Sequence, residues 1–166
     1  MQEAGTSANL INSINYTTLN CKLASLLKTQ EENIFSLNPI GVIHSELKDK
    51  RKAPLFYNEG APDAKLEIFS NYHEGLHRLQ VQDELIIITW FHLSDRSVLK
   101  VHPRGDKKNP LTGVFLTRSP DRPNPLGLHR VTVKEIGSNY IMVGPIEAID
   151  GTPVIDIKPV VDSNDH

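Results

Sequence analysis

The sequence is poor in several features that define whole classes of protein. Its 166 residues include a single cysteine, Cys21, which excludes internal disulfides and supplies no thiolate cluster for zinc. The longest apolar run, Leu85 to Leu93, is about half the roughly 20 residues that a membrane helix needs. The start of the chain also lacks the basic-then-apolar pattern of a secretory signal. We therefore expect a protein of the reducing cytoplasm with no membrane association.

Motifs of the common nucleotide and esterase enzymes are missing as well. The chain has no G-x-G-x-x-G, no G-x-x-x-x-G-K-[ST] and no G-x-S-x-G. Dinucleotide redox chemistry, nucleotide hydrolysis and serine esterase chemistry thus have no motif support. With 39% apolar and 23% charged residues, the composition fits one globular domain and excludes a fibrous or wholly disordered chain.

Residues 1–37 differ from the rest of the chain. They contain no proline, whereas all eleven prolines follow residue 38. Their one helical pattern is a leucine stripe formed by Leu19, Leu23, Leu26 and Leu27. Because short helices are marginal alone, we expect an N-terminal extension that is partly helical or flexible, and a polar tail over residues 162–166.

Residues 38–161 alternate short β-like runs with turn residues, and we expect them to form one domain. No helical crossover of 10 to 15 residues separates the runs, so the pattern predicts an all-β fold, a small β-barrel with few short helices. One short helix is expected over Tyr72 to Leu79. The expected strands are Ile40 to His44, Lys65 to Phe69, Leu85 to Leu93, Ser97 to His102, Gly113 to Thr117, Arg130 to Ile136, Tyr140 to Gly144 and Val154 to Ile157.

The segment from His73 to His77 matches the zinc motif H-E-x-x-H. On an α-helix this spacing puts two imidazoles on one face, with Glu74 as general base. The expected helix is barely two turns long, Gly75 costs about 1 kcal/mol relative to alanine, and no third ligand follows at a familiar spacing. We therefore favour a surface turn whose Tyr72 and Leu76 pack inward, and a zinc hydrolase is the least favoured function.

A loop with three prolines displays more polar groups than a plain connection needs. Its prolines, at 120, 123 and 125, restrict the backbone before any ligand arrives. Arg118 and Arg122 carry planar guanidinium groups suited to a carboxylate or phosphate, and Asn124 offers both donors and acceptors. A stiff surface turn explains the same residues about equally well.

Two further groups could serve a ligand. Asp150 and Gly151 form a turn signal ahead of the last strand, and the Asp150 carboxylate could accept hydrogen bonds there. His92 ends the apolar strand, although a lone histidine is more often structural.

Charge is unevenly distributed along the chain. Between Arg96 and Arg130, eight basic residues face two acidic ones, a local balance of +6, and Lys48 to Lys52 add +3. A polyanion would bind such a surface, because neutralised phosphates release counterions. A solvated charged face is the commoner explanation for charge runs in general.

Two long motifs in this chain together resemble the TrmO-like (TsaA-like) tRNA methyltransferase family. Shorter runs, Pro39 to Ile43 and Trp90 to His92, resemble the opening and central strands of the same family. The resemblance extends over about residues 38–161. The long motifs are Thr117-Arg118-Ser119-Pro120-Asp121-Arg122-Pro123-Asn124-Pro125-Leu126-Gly127 and Asp150-Gly151-Thr152-Pro153-Val154-Ile155-Asp156-Ile157-Lys158-Pro159.

The resemblance implies a homodimeric enzyme that transfers the methyl group of S-adenosylmethionine, without a metal, on a small β-barrel. The implied substrate is the N6 atom of the adenosine 3′ to the anticodon of tRNA, often already threonylcarbamoylated, with the cofactor near the subunit interface. Carried over by motif, the cofactor-binding residues are Tyr57, Asn58, Glu59, His92, Leu93, Arg118, Leu128, Asp150, Gly151, Thr152 and Pro153.

Within this family, Arg118 is expected to hold the cofactor carboxylate, and Asp150 with its turn to accept from the amine and ribose. Asn124 is the candidate catalytic residue, as an acceptor on the adenine amine. The residues expected to contact the anticodon stem-loop are Arg104, Lys107, Lys108 and Arg122. Many bacterial relatives carry a C-terminal extension without a counterpart here, so a regulatory module that binds S-adenosylmethionine without methylating tRNA remains the alternative.

Overall fold

Side chains along the strands alternate between buried and more exposed positions, as expected where an antiparallel sheet encloses one core. The computed structural model describes residues 36–161. The leucine stripe, nearly all of the expected extension 1–37 and the polar tail lie outside the described residues. The strands are β1 (Gly41–His44), β2 (Ala64–Ile68), β3 (Glu84–Trp90), β4 (Lys100–Val101), β5 (Thr112–Gly113), β6 (Leu126–Ile136), β7 (Tyr140–Gly144) and β8 (Pro153–Pro159).

Six of these strands close into a barrel in the order β1-β2-β7-β6-β3-β8, with β8 paired to β1. Every neighbouring pair is antiparallel, and closure leaves none of the six as a free edge. Strands β4 and β5 form a separate two-stranded ribbon. The prediction of an all-β barrel is confirmed. None of the helical turns in residues 36–161 is long and apolar enough to cross a membrane.

The longest pairing, between β3 and β6, decides what lies inside the barrel. Its register sets Leu85 opposite Val131 and Thr89 opposite Gly127, with all four facing inward. The same alternation buries two polar residues, Thr89 at 0% exposure and His129 at 2%. The apolar residues of this core are Ile43, Ala64, Leu66, Ile68, Leu85, Ile87, Val131, Val133, Ile141, Val143, Ile146, Ala148 and Val154.

The predicted strand from Gly113 to Thr117 is wrong. Only Thr112 and Gly113 pair as β5, and Val114–Leu116 form a 3₁₀ turn. Val114 is buried, whereas Phe115 and Leu116 are 76% and 85% exposed, so an apolar run was mistaken for a half-buried strand. The Thr117 hydroxyl and amide both donate to the Val114 carbonyl and end the turn.

Two other strands have boundaries that differ from those predicted from the sequence. The predicted strand over Ser97 to His102 shrinks to Lys100–Val101, because the Ser97 amide and hydroxyl both bind the Asp95 carboxylate in a turn. Strand β6 begins at Leu126 rather than Arg130, since its partner β3 continues to Trp90.

The predicted helix over Tyr72 to Leu79 is a 3₁₀ helix over Ser70–Leu76. Leu76 packs against the core as expected, but Tyr72 is 39% exposed, so its predicted inward packing is wrong. In a helix of three residues per turn, side chains four positions apart no longer share a face.

Candidate ligand site at the barrel rim

A cavity of ≈ 290 Å³ opens at one end of the barrel. Antiparallel pairing brings the end of β3 and the starts of β6 and β8 to this end, which we call the rim. The wall combines residues within 50–57, 91–94, 118–122, 126–130 and 147–152. Segments that lie far apart in sequence therefore meet around one space.

About half of the predicted ligand residues line this cavity. From the cofactor set these are Tyr57, His92, Leu93, Arg118, Leu128 and Thr152, together with Arg122 from the predicted RNA set. The other predicted residues do not line it: Asn58, Glu59, Asp150, Gly151, Pro153, Asn124, Arg104, Lys107 and Lys108. The role assigned to each of these residues stays a prediction.

The Asp150 carboxylate is occupied within the chain. One oxygen accepts from the Ser45 amide at 3.0 Å, and the other lies 2.8 Å from the Lys48 ammonium. The hydrogen bond from Lys48, followed by that from Ser45, holds the pKa of Asp150 below its ordinary value. Gly151 adopts a φ of 76° and donates to the Ile43 carbonyl at 2.8 Å. This corner fastens the segment before β8 to the segment that leaves β1.

The loop of residues 117–125, here called the proline loop, is tied to its surroundings at several points. Arg96 donates from Nε to the Pro123 carbonyl at 3.0 Å, and Asp121 accepts from the Asp95 amide at 2.9 Å. Arg122 donates to the Thr117 carbonyl at 3.2 Å, which draws its guanidinium into the loop. Arg118 lines the cavity, with no hydrogen bond or salt bridge to any other residue in 36–161.

A buried chain of hydrogen bonds below the rim was missed from the sequence. Glu147 Oε1 lies 3.0 Å from His129 Nδ1, and His129 Nε2 lies 2.9 Å from the Thr89 hydroxyl. An ionised carboxylate only accepts, so Nδ1 carries the proton of this hydrogen bond, and Nε2 is hydrogen-bonded to the Thr89 hydroxyl. The signal available in the sequence was a lone acid between two apolar residues, Ile146 and Ala148.

Glu147 is the cavity residue with the most unusual environment. Its side chain is 22% exposed, yet Oε2 is buried and has no hydrogen-bond partner among the described residues. Burial raises the pKa of Glu147, but the hydrogen bond and electrostatic attraction from His129, with the charge of Arg118, outweigh it. The net result is a pKa below the ordinary value.

Gly127 gives this chain of hydrogen bonds its room. A Cβ at this position would collide with Thr89, Phe91 and His129. The Phe91 ring meets the His129 ring edge to face, with centroids 5.8 Å apart. The floor of the cavity is therefore packed too closely at this point for any residue larger than glycine.

The basic residues are partly neutralised within the chain. Besides Lys48, which pairs with Asp150, Arg51 lies 2.8 Å from Asp49 and lowers the pKa of that carboxyl to about 2. By contrast, Lys107 and Lys108 are exposed and have no salt bridge within residues 36–161. The basic segment from Lys48 to Lys52 therefore presents less unpaired positive charge than its sequence suggests.

The H-E-x-x-H segment lies in the 3₁₀ helix, where His73 Nε2 is hydrogen-bonded to the Ile68 carbonyl at 2.9 Å. No group of three His, Cys, Asp or Glu side chains in the described part of the chain is arranged to hold a metal ion.

A family model described as the tRNA-methyltransferase O N-terminal domain matches residues 42–166. The chain belongs to this family. The resemblance carried by the proline loop and the Asp150 corner is thus confirmed, and the protein is placed among methyltransferase domains.

Curated members of the family are similar over most of their length. A probable S-adenosyl-L-methionine-binding protein of Methanocaldococcus jannaschii is 43% identical over 129 residues, 75% of this chain and 91% of the relative. An S-adenosyl-L-methionine-binding protein of Archaeoglobus fulgidus is 39% identical over 122 residues, 74% of this chain and 86% of the relative.

Solved structures of the family share the fold. The crystal structure of TrmO from Pseudomonas aeruginosa aligns with a TM-score of 0.62 at 29% identity, covering 80% of this chain and 57% of the other. A second TrmO crystal structure aligns at 0.63 and 31% identity, covering 80% and 60%. The chain thus spans little more than half the length of these TrmO chains.

Proposed function

We propose that the protein is an S-adenosylmethionine-dependent methyltransferase acting on N6 of the adenosine 3′ to the tRNA anticodon, in its threonylcarbamoyl-modified form. The observation that carries the proposal is the rim cavity, whose wall combines apolar side chains with the Glu147 carboxylate and with Arg118, which has no hydrogen bond or salt bridge within residues 36–161. Family membership supports the reaction class, and the names of the curated relatives support the cofactor.

The donor set of the cavity fits this cofactor. Its amino-acid end needs a partner for a carboxylate, and the guanidinium of Arg118 suits that group. Its adenine needs flat apolar surface, which Phe56, Tyr57 and Leu128 offer on the wall. A volume of ≈ 290 Å³ is close to the lower limit of about 300 Å³ for small-molecule sites.

When bound, S-adenosylmethionine would supply a methyl group on sulfonium for transfer to the amine, with the electron pair of the S–CH₃ bond left on sulfur and a proton released from the amine. The residues of the chain align the two reactants and exclude water. The adenine amine is a weak nucleophile, because its lone pair is delocalised into the ring. Asn124, exposed two residues before the cavity residue Leu126, is the proposed acceptor for that amine.

The proposed tRNA surface is the basic stretch from Arg96 to Arg130, with Arg104, Lys107, Lys108 and Arg122 as its contacts. Single-stranded loop bases can be splayed out and bound while cations follow the backbone. Lys107 and Lys108 are the strongest candidates, since both are exposed and neither is paired within residues 36–161.

We further propose a cytoplasmic homodimer with the rim at the subunit interface. Large apolar side chains are exposed on the cavity wall, with Leu93 at 56% and Leu128 at 57%. Phe115 and Leu116 in the 3₁₀ turn before the proline loop are exposed further, at 76% and 85%. Such apolar exposure is typical of surfaces that bind another protein. Sedimentation equilibrium tests this proposal, and a monomer at micromolar concentration would contradict it.

Transfer of an isotope-labelled methyl group to tRNA tests the enzymatic proposal. We expect label in the nucleoside 3′ to the anticodon, identified as the N6-methylated product by mass spectrometry. The same tRNA with guanosine at that position is the control and should accept no label. A product methylated elsewhere, or no product with modified and unmodified tRNA alike, would contradict the substrate assignment.

A second candidate is a module that binds S-adenosylmethionine without methylating tRNA. The observation that favours it is that curated relatives are named as binding proteins rather than as enzymes. Calorimetric binding of the cofactor by a protein that transfers no label would support this alternative.

A further inference from the structure

The cavity holds one acidic group in a basic surrounding. The cationic residues on its wall are Lys50, Arg118, Arg122 and Arg130, and Glu147 is the one carboxylate among the described residues that line it. A cavity meant only for anions would gain nothing from this carboxylate, which weakens the local positive potential. The wall instead matches a ligand that carries both signs of charge.

The two oxygens of Glu147 differ in their environment. Oε1 is bound by His129 Nδ1 at 3.0 Å, which fixes the orientation of the carboxylate. Oε2 is buried and has no hydrogen-bond partner among the described residues. A buried acceptor without a donor costs stability, more so when the group is charged. An ammonium in the cavity would satisfy this oxygen and remove that cost.

Asp150, the acceptor that the sequence suggested for the cofactor amine, is already engaged within the chain. Both of its oxygens are engaged, one by the Ser45 amide and the other by the Lys48 ammonium, and it does not line the cavity. Glu147 lies three residues earlier in the same segment and lines the cavity, and its Oε2 has no hydrogen-bond partner among the described residues.

We propose that Glu147 binds the α-ammonium of the amino-acid end of S-adenosylmethionine while Arg118 binds the α-carboxylate. The inference rests on the proposed function, since it takes S-adenosylmethionine as the ligand. His129 is a positioning residue: it bonds Oε1 on one side and the Thr89 hydroxyl on the other, and so leaves Oε2 to the ligand.

Calorimetric titration with two ligands tests this assignment. The first is S-adenosylhomocysteine, which carries the intact amino-acid end. The second is its deaminated analogue, in which hydrogen replaces the α-amine. Because hydrogen bonds to charged groups are the strong ones, we expect wild type to bind the first about 10- to 100-fold more tightly than the second.

The Glu147→Gln variant should lose that preference. It keeps the shape of the side chain and an oxygen for His129, and replaces the charged acceptor with an amide. Affinity for S-adenosylhomocysteine should fall by about 10- to 100-fold, while affinity for the deaminated analogue stays the same. The matched control is Glu67→Gln, because Glu67 also binds a histidine, His44 at 2.7 Å, but outside the cavity. It should bind both ligands as wild type does.

The outcomes separate this inference from the proposed function. Wild type that binds S-adenosylhomocysteine and its deaminated analogue equally overturns the role of Glu147, and this measurement needs no variant. A Glu147→Gln protein that loses affinity for both ligands equally overturns it too, since the loss would then reflect damage to the cavity. Wild type that binds neither S-adenosylmethionine nor S-adenosylhomocysteine overturns the proposed function together with the inference.

Discussion

Arg104 and Glu59, 45 residues apart in the sequence, meet in a salt bridge of 2.6 Å between Nη2 and Oε1. The Arg104 guanidinium also lies 5.4 Å from the centroid of the Phe56 ring. The hydrogen bond from Arg104 is the main cause of the lowered pKa of Glu59. Arg104, which is predicted to contact RNA, and Glu59, which is predicted to contact the cofactor, therefore bind each other. Together they fasten the segment that bears Phe56 and Tyr57 to the 3₁₀ turn over Pro103–Gly105.

Releasing this segment should weaken the ligand site more than the fold. In Glu59→Gln we expect affinity for S-adenosylmethionine to fall by roughly 2- to 5-fold, because the aromatic wall loses its anchor, while the thermal midpoint barely moves, as is usual for exposed ion pairs. Calorimetry and thermal unfolding measure the two effects. Asp156→Asn, which breaks the exposed Asp156–Lys158 pair away from the cavity, is the control and should change neither. An unaltered affinity in Glu59→Gln would show that the segment needs no such anchor.

The exposed lysines should carry much of the salt dependence of tRNA binding. Replacing both Lys107 and Lys108 by alanine should weaken tRNA binding and reduce the slope of log affinity against log salt by about 1.5 to 2. Filter binding at several salt concentrations gives the slope. Lys134→Ala, on the outside of β6 and beyond the basic stretch, is the control and should leave it unchanged. Equal slopes for the double variant and wild type would remove these lysines from the interface.

Gly127 should tolerate no side chain. We expect Gly127→Ala to lower the free energy of unfolding by about 1–3 kcal/mol, because the new methyl group would overlap Thr89, Phe91 and His129. Urea denaturation measures the loss. Gly113→Ala is the matched control, since a Cβ there meets no atom within 4 Å and the effect should be small. Equal stabilities for the two variants would mean that the cavity floor can relax.

The Glu147 carboxylate should make part of the free energy of unfolding depend on pH in the acidic range. Burial raises its pKa in the folded protein, but the hydrogen bond and electrostatic attraction from His129, with the charge of Arg118, outweigh burial, so the pKa lies below the ordinary value of 4.5. A lowered pKa means that its contribution is fully present above pH 4.5 and is lost as the pH falls through the folded value. The urea midpoint of Glu147→Gln should therefore fall less steeply on acidification than that of wild type. Equal slopes of the urea midpoint against acidic pH for the variant and wild type would contradict this prediction.

The fold class could be predicted from the sequence because it depends on local patterns. Alternation with a period of two, turn residues between the runs and the absence of helical crossovers together predict an antiparallel barrel. Strand boundaries were predicted less accurately where an apolar run had no strand partner. Val114, Phe115 and Leu116 have the composition of a strand, yet they form a 3₁₀ turn because β5 ends at Gly113.

The residues of the candidate site could be predicted from the sequence only in part. Motifs identified the family and brought Arg118, His92 and Thr152 into consideration, and all three line the cavity. Spacing could not reveal that the carboxylate of Asp150 is bound by Ser45 and Lys48, because those residues lie more than 100 positions away.

The sequence by itself determined the barrel and the family, since strand periodicity and two long motifs are properties of neighbouring residues. Only the tertiary structure revealed which acid keeps an oxygen without a hydrogen-bond partner among the described residues. The Thr89–His129 contact spans 40 residues and forms because the β3–β6 register sets Thr89 opposite Gly127, and the His129–Glu147 contact spans a further 18 residues. A hydrogen bond depends on distance in space, and for residues so far apart in the chain the register of paired strands sets that distance.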